Sequence, residues 1–272
     1  MTQAEGLRLE AISRHFGGIH ALTGVSLSVS YGEVLGIVGE NGAGKSTLMK
    51  IVAGVMPPGS GAISLDGTTV HFRSPADAAR LGIAMVYQDL ALCDNLDAVA
   101  NMFLGSEIVR WRVPGARRSR GQMRRATEQV LDRLGIRLRS LDIPVGQLSG
   151  GQRQAIAVGR AVMRDPKVVI FDEPTAALAV NQREQVVKLI RRLRGQGHAV
   201  LVVSHELSDV LSVSDRIVVL RLGTVAAEFT VADGISERDL VAAMLGVPAE
   251  PDRSGGSNPM ATANTHASQE AR

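Results

Sequence analysis

The chain has 272 residues, of which 45% are hydrophobic and 3% aromatic, and its formal net charge is +3. A chain of this length can bury a full core, its nearly balanced charge does not require a nucleic-acid partner, and its single cysteine, Cys93, excludes an intrachain disulfide and lacks the neighbours of a metal site. Because no apolar run reaches the roughly 18 to 20 residues of a membrane span, and the start of the chain does not read as a signal peptide, we expect a cytosolic protein that meets a membrane only through a partner.

The first part of the chain is predicted to form short strands. Residues 7–12 and 25–29 alternate apolar with polar side chains, as half-buried strands do. Residues 62–65 and 68–72 flank an Asp-Gly turn and predict a hairpin. The continuous apolar run 34–38 predicts a strand that is buried on both faces.

The middle of the chain is predicted to alternate helices with buried strands. Residues 89–163 read as mainly helical and include an arginine-rich stretch, 110–125, that Pro and Gly interrupt. Buried-strand runs return at 168–171 and 199–203, with a helix at about 182–194 between them. This alternation predicts a parallel α/β sheet. Four apolar residues share one face of the predicted helix: Val186, Leu189, Ile190 and Leu193.

The last predicted elements are a hairpin of strands 217–221 and 224–229. From about residue 248 the composition turns to Pro, Gly, Ser, Asn and Thr, which offers little apolar surface to bury. We therefore expect one folded domain over 1–247 and a disordered tail over 248–272.

A complete phosphate-binding loop, Gly-Glu-Asn-Gly-Ala-Gly-Lys-Ser, lies between the buried strand 34–38 and a predicted helix at 46–52. Its glycines let successive backbone N–H groups face one anion, and the helix start adds its positive end. Lys45 can reach the β- and γ-phosphates, and the Ser46 hydroxyl can bind Mg²⁺. The residues expected to bind ATP here are Gly39, Glu40, Asn41, Gly42, Ala43, Gly44, Lys45, Ser46 and Thr47.

Two carboxylates follow the apolar run 168–171. An acid at the carboxyl end of a parallel strand lies near the phosphate loop, so Asp172 is placed to hold Mg²⁺ directly or through water. Glu173 points elsewhere and can polarise the attacking water.

The pentapeptide Leu-Ser-Gly-Gly-Gln at 148–152 precedes a helical run at 154–163. Ser149 with the two glycines is able to cap that helix and to aim its amides at a phosphate. On these residues alone, a capped turn without a ligand remains the alternative.

Together these motifs resemble the nucleotide-binding domain of ABC transporters over about residues 6–245. The resemblance implies an α/β P-loop NTPase core with a parallel sheet, an antiparallel β subdomain and a helical subdomain at about 89–163. The pentapeptide looks like the family signature, which completes the ATP site of the opposite subunit. Two chains would then sandwich two ATP molecules, and the signature residues expected to contact ATP are Ser149, Gly150, Gly151 and Gln152.

Three further positions take their expected roles from the same resemblance. Gln88 matches the glutamine that senses the γ-phosphate and Mg²⁺, His205 matches the switch histidine that touches the γ-phosphate, and Phe16 matches the aromatic ring that stacks on adenine. The implied catalytic set is Lys45, Gln88, Glu173 and His205, and the implied Mg²⁺ ligands are Ser46, Gln88 and Asp172. One position departs from the family pattern, because Ala179 stands where the family often has an aspartate.

Finer features at 39–44, 88–92, 101–105 and 174–178 look like carbohydrate importers of the ribose, xylose and fructose type. One phosphate loop is present, so the chain is expected to pair with a second copy. The resemblance also implies integral membrane permease subunits, an indirect partnership with a periplasmic solute-binding protein, and a peripheral place on the cytoplasmic face of the inner membrane.

Other functions stay open at this point. One is import of amino acids or another solute. A second is a soluble ABC ATPase acting on nucleic acid or ribosomes. Only the arginine-rich stretch favours it, and a solvent-exposed face explains that stretch more simply. A third is a non-hydrolytic regulatory subunit, against which Glu173 and His205 argue.

Overall fold

The structure, a computed structural model, describes residues 4–109, 119–176 and 178–247. Ten strands and eight α-helices lie within these ranges. The arginine-rich stretch is described only from residue 119 onward, and the predicted tail lies outside the described residues. Within the described ranges, every helix is too short or too polar to cross a membrane.

Four strands form an antiparallel sheet in the order β2-β1-β4-β5. Their bounds are β1 Glu5–Phe16, β2 Ile19–Ser30, β4 Ser60–Leu65 and β5 Thr68–Val70. The first two strands are 12 residues long, well beyond their predicted bounds. The register of the β1–β2 pair shifts between Leu9 and Ile12, and Ala11 has a φ of 49°. This irregularity breaks the alternation on which the sequence prediction depended.

Six strands form the second sheet in the order β10-β9-β3-β8-β7-β6. Their bounds are β3 Val34–Val38, β6 Ile83–Val86, β7 Val168–Asp172, β8 Ala199–Val203, β9 Arg216–Arg221 and β10 Thr224–Thr230. All neighbours pair in parallel except the β9–β10 hairpin. Every residue of β3 and β8 is buried, as their continuous apolar runs predict.

The helices lie at α1 Lys45–Val52, α2 Pro75–Arg80, α3 Ala98–Met102, α4 Arg120–Leu134, α5 Gly150–Val162, α6 Val180–Gly195, α7 Leu207–Val213 and α8 Glu237–Leu245. The predicted apolar face of α6 is confirmed, since all four of its residues are buried in the core that α3, α4 and α5 share. The sequence analysis did not predict α2, α7 and α8. These helices have 6, 7 and 9 residues, which is too few for a clear apolar period.

The prediction of a mainly helical region at 89–163 is right for α3, α4 and α5, but it is wrong for residues 103–109 and 135–144 and for the segment before α3. There the side chain of Asn101, fully buried, takes the place of helical hydrogen bonding. Its Oδ1 accepts from the backbone N–H of Cys93 at 2.7 Å, and its Nδ2 donates to the carbonyls of Cys93 at 3.0 Å and Leu96 at 3.1 Å. The same Nδ2 also donates to the carbonyl of Asp97 at 3.1 Å, so one buried amide meets four backbone groups and fixes the course of this loop, which turns at residues 94–95.

Candidate functional site

A cavity of about 460 Å³ opens at the carboxyl ends of the parallel strands β3, β7 and β8. Segments far apart in the chain meet there, because parallel strands deliver their following loops to one edge of the sheet. The cavity is lined by Ile19, His20, Ala21, Asn41, Gly42, Ala43, Gly44, Lys45, Ser46, Thr47, Gln88, Asp172, Glu173, Val203 and His205.

The loop between β3 and α1 takes a conformation that only glycine fits at two positions. A Cβ on Gly39 would lie 2.3 Å from the carbonyl oxygen of Leu220, and one on Gly44 would lie 2.7 Å from that of Ala21. Gly44 has a φ of 105° and stands at the N-cap of α1, where no side chain caps the helix. The first amides of α1 are therefore directed to the cavity without a competing side-chain acceptor, as an anion site requires.

Lys45 lies at the base of this loop and is only 8% exposed. Its Nζ donates to the carbonyl oxygens of Gly39 at 2.6 Å and Glu40 at 3.0 Å. Burial lowers the pKa of the ammonium, and the charges of Glu173 and Asp172 oppose that shift. The two carbonyl oxygens hold the cation at the phosphate loop, where a bound phosphate would meet it.

Asp172 and Glu173 leave β7 in different environments. Burial raises the pKa of the Asp172 carboxyl first, the neighbouring charge of Glu173 raises it further, and Lys45 and Lys50 lower it. The backbone N–H of Glu173 donates to the carbonyl oxygen of Val203 at 2.8 Å, and the backbone φ of Glu173 is 51°. This left-handed backbone turns the second carboxylate away from the strand direction. Such strain in a non-glycine residue is common at functional sites.

Glu173 and His205 are in direct contact. The Nδ1 atom of His205 lies 2.7 Å from Oε2 of Glu173, a contact that either an imidazole with its proton on Nδ1 or an imidazolium satisfies. The backbone N–H of His205 and the hydroxyl of Ser204 reach the same oxygen at the longer distances of 3.4 and 3.5 Å. The side chain of Glu173 is 14% exposed and that of His205 is 58% exposed. The carboxylate is therefore largely buried, and the imidazole that contacts it is open to solvent.

The structure brings Gln88 into the cavity but does not bring Phe16 there. Gln88 follows β6 and lines the cavity. Phe16, at the end of β1, is 43% exposed, and the guanidinium carbon of Arg14 lies 5.3 Å from the centre of its ring. The adjoining wall is formed instead by residues 19–21 of β2, which no sequence motif marks.

The pentapeptide at 148–152 lies outside this cavity. Ser149 caps α5 as predicted: its Oγ accepts from the N–H of Gln152 at 3.4 Å, and the Gln152 side chain accepts from the N–H of Ser149 at 3.1 Å. Ser149, Gly151 and Gln152 border a separate cavity of about 570 Å³ beside α6. Within one chain, therefore, the predicted signature residues and the phosphate loop do not share a site.

Ala179 stands at the N-cap position of α6 and has no side-chain acceptor for the first amides of that helix. The Gln182 side chain accepts from the N–H of Ala179 at 3.4 Å, which is half of a capping box. Its neighbour Val180 is 76% exposed. The start of α6 is thus apolar and exposed.

Residues 22–176 match the protein family described as ABC transporter. The chain is 42% identical over 241 residues to ribose import ATP-binding protein RbsA 2 of Burkholderia ambifaria, and 39% identical over 248 residues to RbsA 2 of Escherichia coli O157:H7. The two alignments cover 88% and 91% of this chain but 46% and 48% of the relatives, so the chain spans about half the length of the curated relatives that it matches.

Solved structures agree with this likeness. One is the ADP conformation of an ATP-binding cassette of an ABC transporter, at a TM-score of 0.76 and 28% identity, covering 89% of this chain and 99% of that one. Another is the dimeric structure of a bacterial ABC transporter cassette, at a TM-score of 0.68 and 27% identity, covering 83% and 98%.

Proposed function

The chain belongs to the ABC transporter family, and on that premise we propose that it binds ATP and hydrolyses it to energise transport across a membrane. The observation that carries the proposal is the single cavity that joins the uncapped phosphate loop, Asp172, the Glu173–His205 pair and Gln88. These residues come from four separate stretches of the chain, and each supplies a group that phosphoryl transfer to water uses.

The phosphate loop and Lys45 bind the triphosphate in this proposal. The loop amides and the start of α1 provide donors for the phosphate oxygens. Lys45, already buried against carbonyls, adds a charge-assisted contact to the β- and γ-phosphates. Phe16 remains our proposal for the adenine contact, since its ring is exposed close to the residue 19–21 wall.

Mg²⁺ fits the oxygen donors that line the same cavity. Ser46, Gln88 and Asp172 offer a hydroxyl, an amide oxygen and a carboxylate. Mg²⁺ is commonly held by one or two carboxylates together with substrate phosphates. When bound it would neutralise charge on the phosphates.

Glu173 orients the attacking water in this proposal, and His205 contacts the γ-phosphate. The contact between Nδ1 of His205 and Oε2 of Glu173 fixes the carboxylate before any water arrives. A base that is already oriented needs little rearrangement in the transition state.

A second copy of the chain completes each ATP site. Ser149, Gly150, Gly151 and Gln152 form the start of α5, which borders a cavity separate from the chain's own phosphate loop, and the similar cassette above is dimeric. The signature of one chain would thus close the phosphate loop of the other and exclude water from the nucleotide.

A membrane permease is the further partner that we propose. A groove of about 310 Å³ runs between α2, β6 and α5 and includes the exposed apolar residues Tyr87 and Leu104. It begins one residue before Gln88, so a permease segment seated there lies next to the ATP cavity. An exposed apolar groove of this kind suits a protein partner.

The cargo that we propose is a monosaccharide, since the relatives named above are ribose import proteins. A periplasmic binding protein would deliver it to the permease, and the chain would sit on the cytoplasmic face of the membrane. Import of another solute, such as an amino acid, is the competing assignment.

Phosphate release from ATP by the purified chain, with Mg²⁺ and with a chelator, tests the enzymatic part. We expect turnover with Mg²⁺ only, and a chain that binds ATP without releasing phosphate would contradict hydrolysis. Co-expression with a candidate permease, followed by uptake of labelled ribose, xylose, fructose and amino acids, tests the cargo.

A further inference from the structure

Two loops frame the Glu173–His205 contact. The first continues from Glu173 at the end of β7 to the start of α6, and the second runs from β8 through His205 to the start of α7. Each loop therefore carries one member of the pair, and the geometry of the pair depends on how the two loops are held together.

Arg183, in the first turns of α6, contacts both loops at once. Its Nε donates to the carbonyl oxygen of Leu178 in the first loop at 3.1 Å. Its Nη1 and Nη2 atoms lie 3.2 and 3.3 Å from the two carboxylate oxygens of Glu206 in the second loop. This fork-to-fork geometry is the specific one for arginine and a carboxylate.

These contacts close a ring. Glu206 is the chain neighbour of His205, and its Oε1 lies 3.8 Å from Nε2 of that histidine. His205 contacts Glu173 at 2.7 Å, and Glu173 leads along the first loop to Leu178 and back to Arg183. A displacement of either loop would have to break the Arg183 contacts or stretch the Glu173–His205 contact.

Charge makes Arg183 hard to replace in this ring. The hydrogen bond from Arg183 is the main cause that lowers the pKa of Glu206. Nη1 also lies 3.6 Å from Oδ2 of Asp209, an atom buried without a hydrogen-bond partner among the described residues. Without the guanidinium, the carboxylates of Glu206 and Asp209 would lose the cation that they share, close to the carboxylates of Asp172 and Glu173 in the cavity.

We propose that Arg183 is a positioning residue for hydrolysis, which fixes His205 against Glu173 by holding Leu178 and Glu206 together. This inference rests on the proposed ATPase function. Neither the phosphate-loop pattern nor the acidic pair assigns any role to Arg183.

The test compares Arg183→Met with Arg191→Met. Arg191 lies on the same helix and donates to the carbonyl of Ser212 at the far end of α7, at 2.5 Å, so it bridges the same two helices without touching either loop. We expect Arg183→Met to lower kcat about tenfold, since a slightly misplaced catalytic group costs that much or more, with the KM for ATP changed by less than about twofold. Arg191→Met should leave both constants within about twofold of wild type.

Two further variants separate positioning from folding. Arg183→Lys keeps the charge but loses the fork, and we expect a kcat between those of wild type and Arg183→Met. Exchanging the partners, Arg183→Glu with Glu206→Arg, should recover part of the kcat that Arg183→Glu alone loses. A kcat loss in Arg191→Met equal to that in Arg183→Met, or an unchanged kcat in Arg183→Met, would overturn the proposal.

The ring signals of His205 provide a readout that does not need turnover. In NMR spectra of protein with isotope-labelled histidine, the signal that is lost in His205→Gln identifies His205 among the six histidines. Arg183→Met should shift that signal, and Arg191→Met should not. If the wild-type chain shows no ATPase activity, only the proposed function is contradicted. If the wild-type chain is active but the His205 signal does not move in Arg183→Met, only the positioning role of Arg183 is contradicted.

Discussion

The phosphate loop and the signature helix are the two most specific motifs of this chain, and their helix starts are built in opposite ways. At α1 the N-cap is Gly44, and no side chain accepts from the first amides. At α5 the N-cap is Ser149, and a full capping box with Gln152 satisfies both ends of the turn. An anion is needed to complete the first helix start, whereas side chains complete the second.

The surroundings of the two helix starts differ in the same direction. Around α1 the chain gathers its own cation, carboxylates, amide and imidazole in one cavity. The start of α5 faces a different cavity, with no phosphate loop in it. One motif is thus a nearly finished site, and the other is a stable, preformed surface. In our proposal that surface serves the second copy of the chain.

The largest effect that we expect lies in the finished site. Glu173→Gln should keep ATP binding and slow hydrolysis by about 10² to 10⁴, the usual contribution of a general base. The neutral amide can still meet His205 but cannot polarise water. Phosphate release under saturating ATP measures the rate, and sizing with ATP should show an accumulated dimer. Turnover near that of wild type would remove Glu173 from its proposed role.

The next effect concerns affinity at the phosphate loop. Lys45→Ala should weaken ATP binding about tenfold to hundredfold, because a charged hydrogen bond to phosphate is lost. Equilibrium titration with a fluorescent ATP analogue measures it. Lys50→Ala is the matched control, since Lys50 is exposed on the same helix. Equal affinities for Lys45→Ala and wild type would place the nucleotide elsewhere.

A mixing experiment joins the two regions. Lys45→Ala disables the phosphate loop, and Ser149→Arg blocks the signature surface. Each variant alone should be nearly inactive, but their mixture should recover part of the activity, because one site of a mixed dimer combines two intact halves. Activity is measured across mixing ratios and protein concentrations. A mixture no more active than its components, in a sample shown to contain mixed dimers, would contradict the shared site.

The smallest expected effect separates capping from recognition. Ser149→Ala and Ser236→Ala each remove the serine at the N-cap of a helix, α5 and α8: the hydroxyl of Ser149 accepts from the N–H of Gln152, and that of Ser236 donates to the carboxylate of Asp239. Each should lower the free energy of unfolding by about 1 kcal/mol, measured by denaturant titration. Only Ser149→Ala should also weaken ATP-dependent dimerisation. If both variants weaken it equally, the signature serine acts through helix stability alone.

The parts of the fold that the sequence predicted are those whose information is local. The strands β3 and β8 are continuous apolar runs of five residues, and the apolar face of α6 repeats with the period of a helix. Both patterns are complete within a short stretch of sequence, so they can be recognised without knowing the fold. The bulge at Ala11 and the short helices α2, α7 and α8 depend on contacts with residues that are distant in the sequence. The residues adjacent to them in the sequence therefore do not predict them.

The candidate site divides in the same way. The phosphate loop and the Asp172–Glu173 pair are contiguous motifs, and the structure brings them together as the parallel sheet requires. The wall at 19–21 and the Arg183 contacts arise from residues without a motif. Phe16 was assigned to adenine by resemblance alone. Its ring is exposed and does not line the cavity, so the contact with adenine remains a prediction to be tested.

The loop that Asn101 fixes through the backbone of Cys93 has a practical consequence for spectroscopy. The sequence contains one cysteine, and it lies on a segment whose N–H and carbonyl are both bound by a buried side chain. A spin label attached to this partly exposed thiol would follow the helical region with little backbone freedom of its own. Two labelled copies would give one interspin distance, with no native thiol to remove first. The opening and closing of the paired chains would then be readable in otherwise unaltered protein.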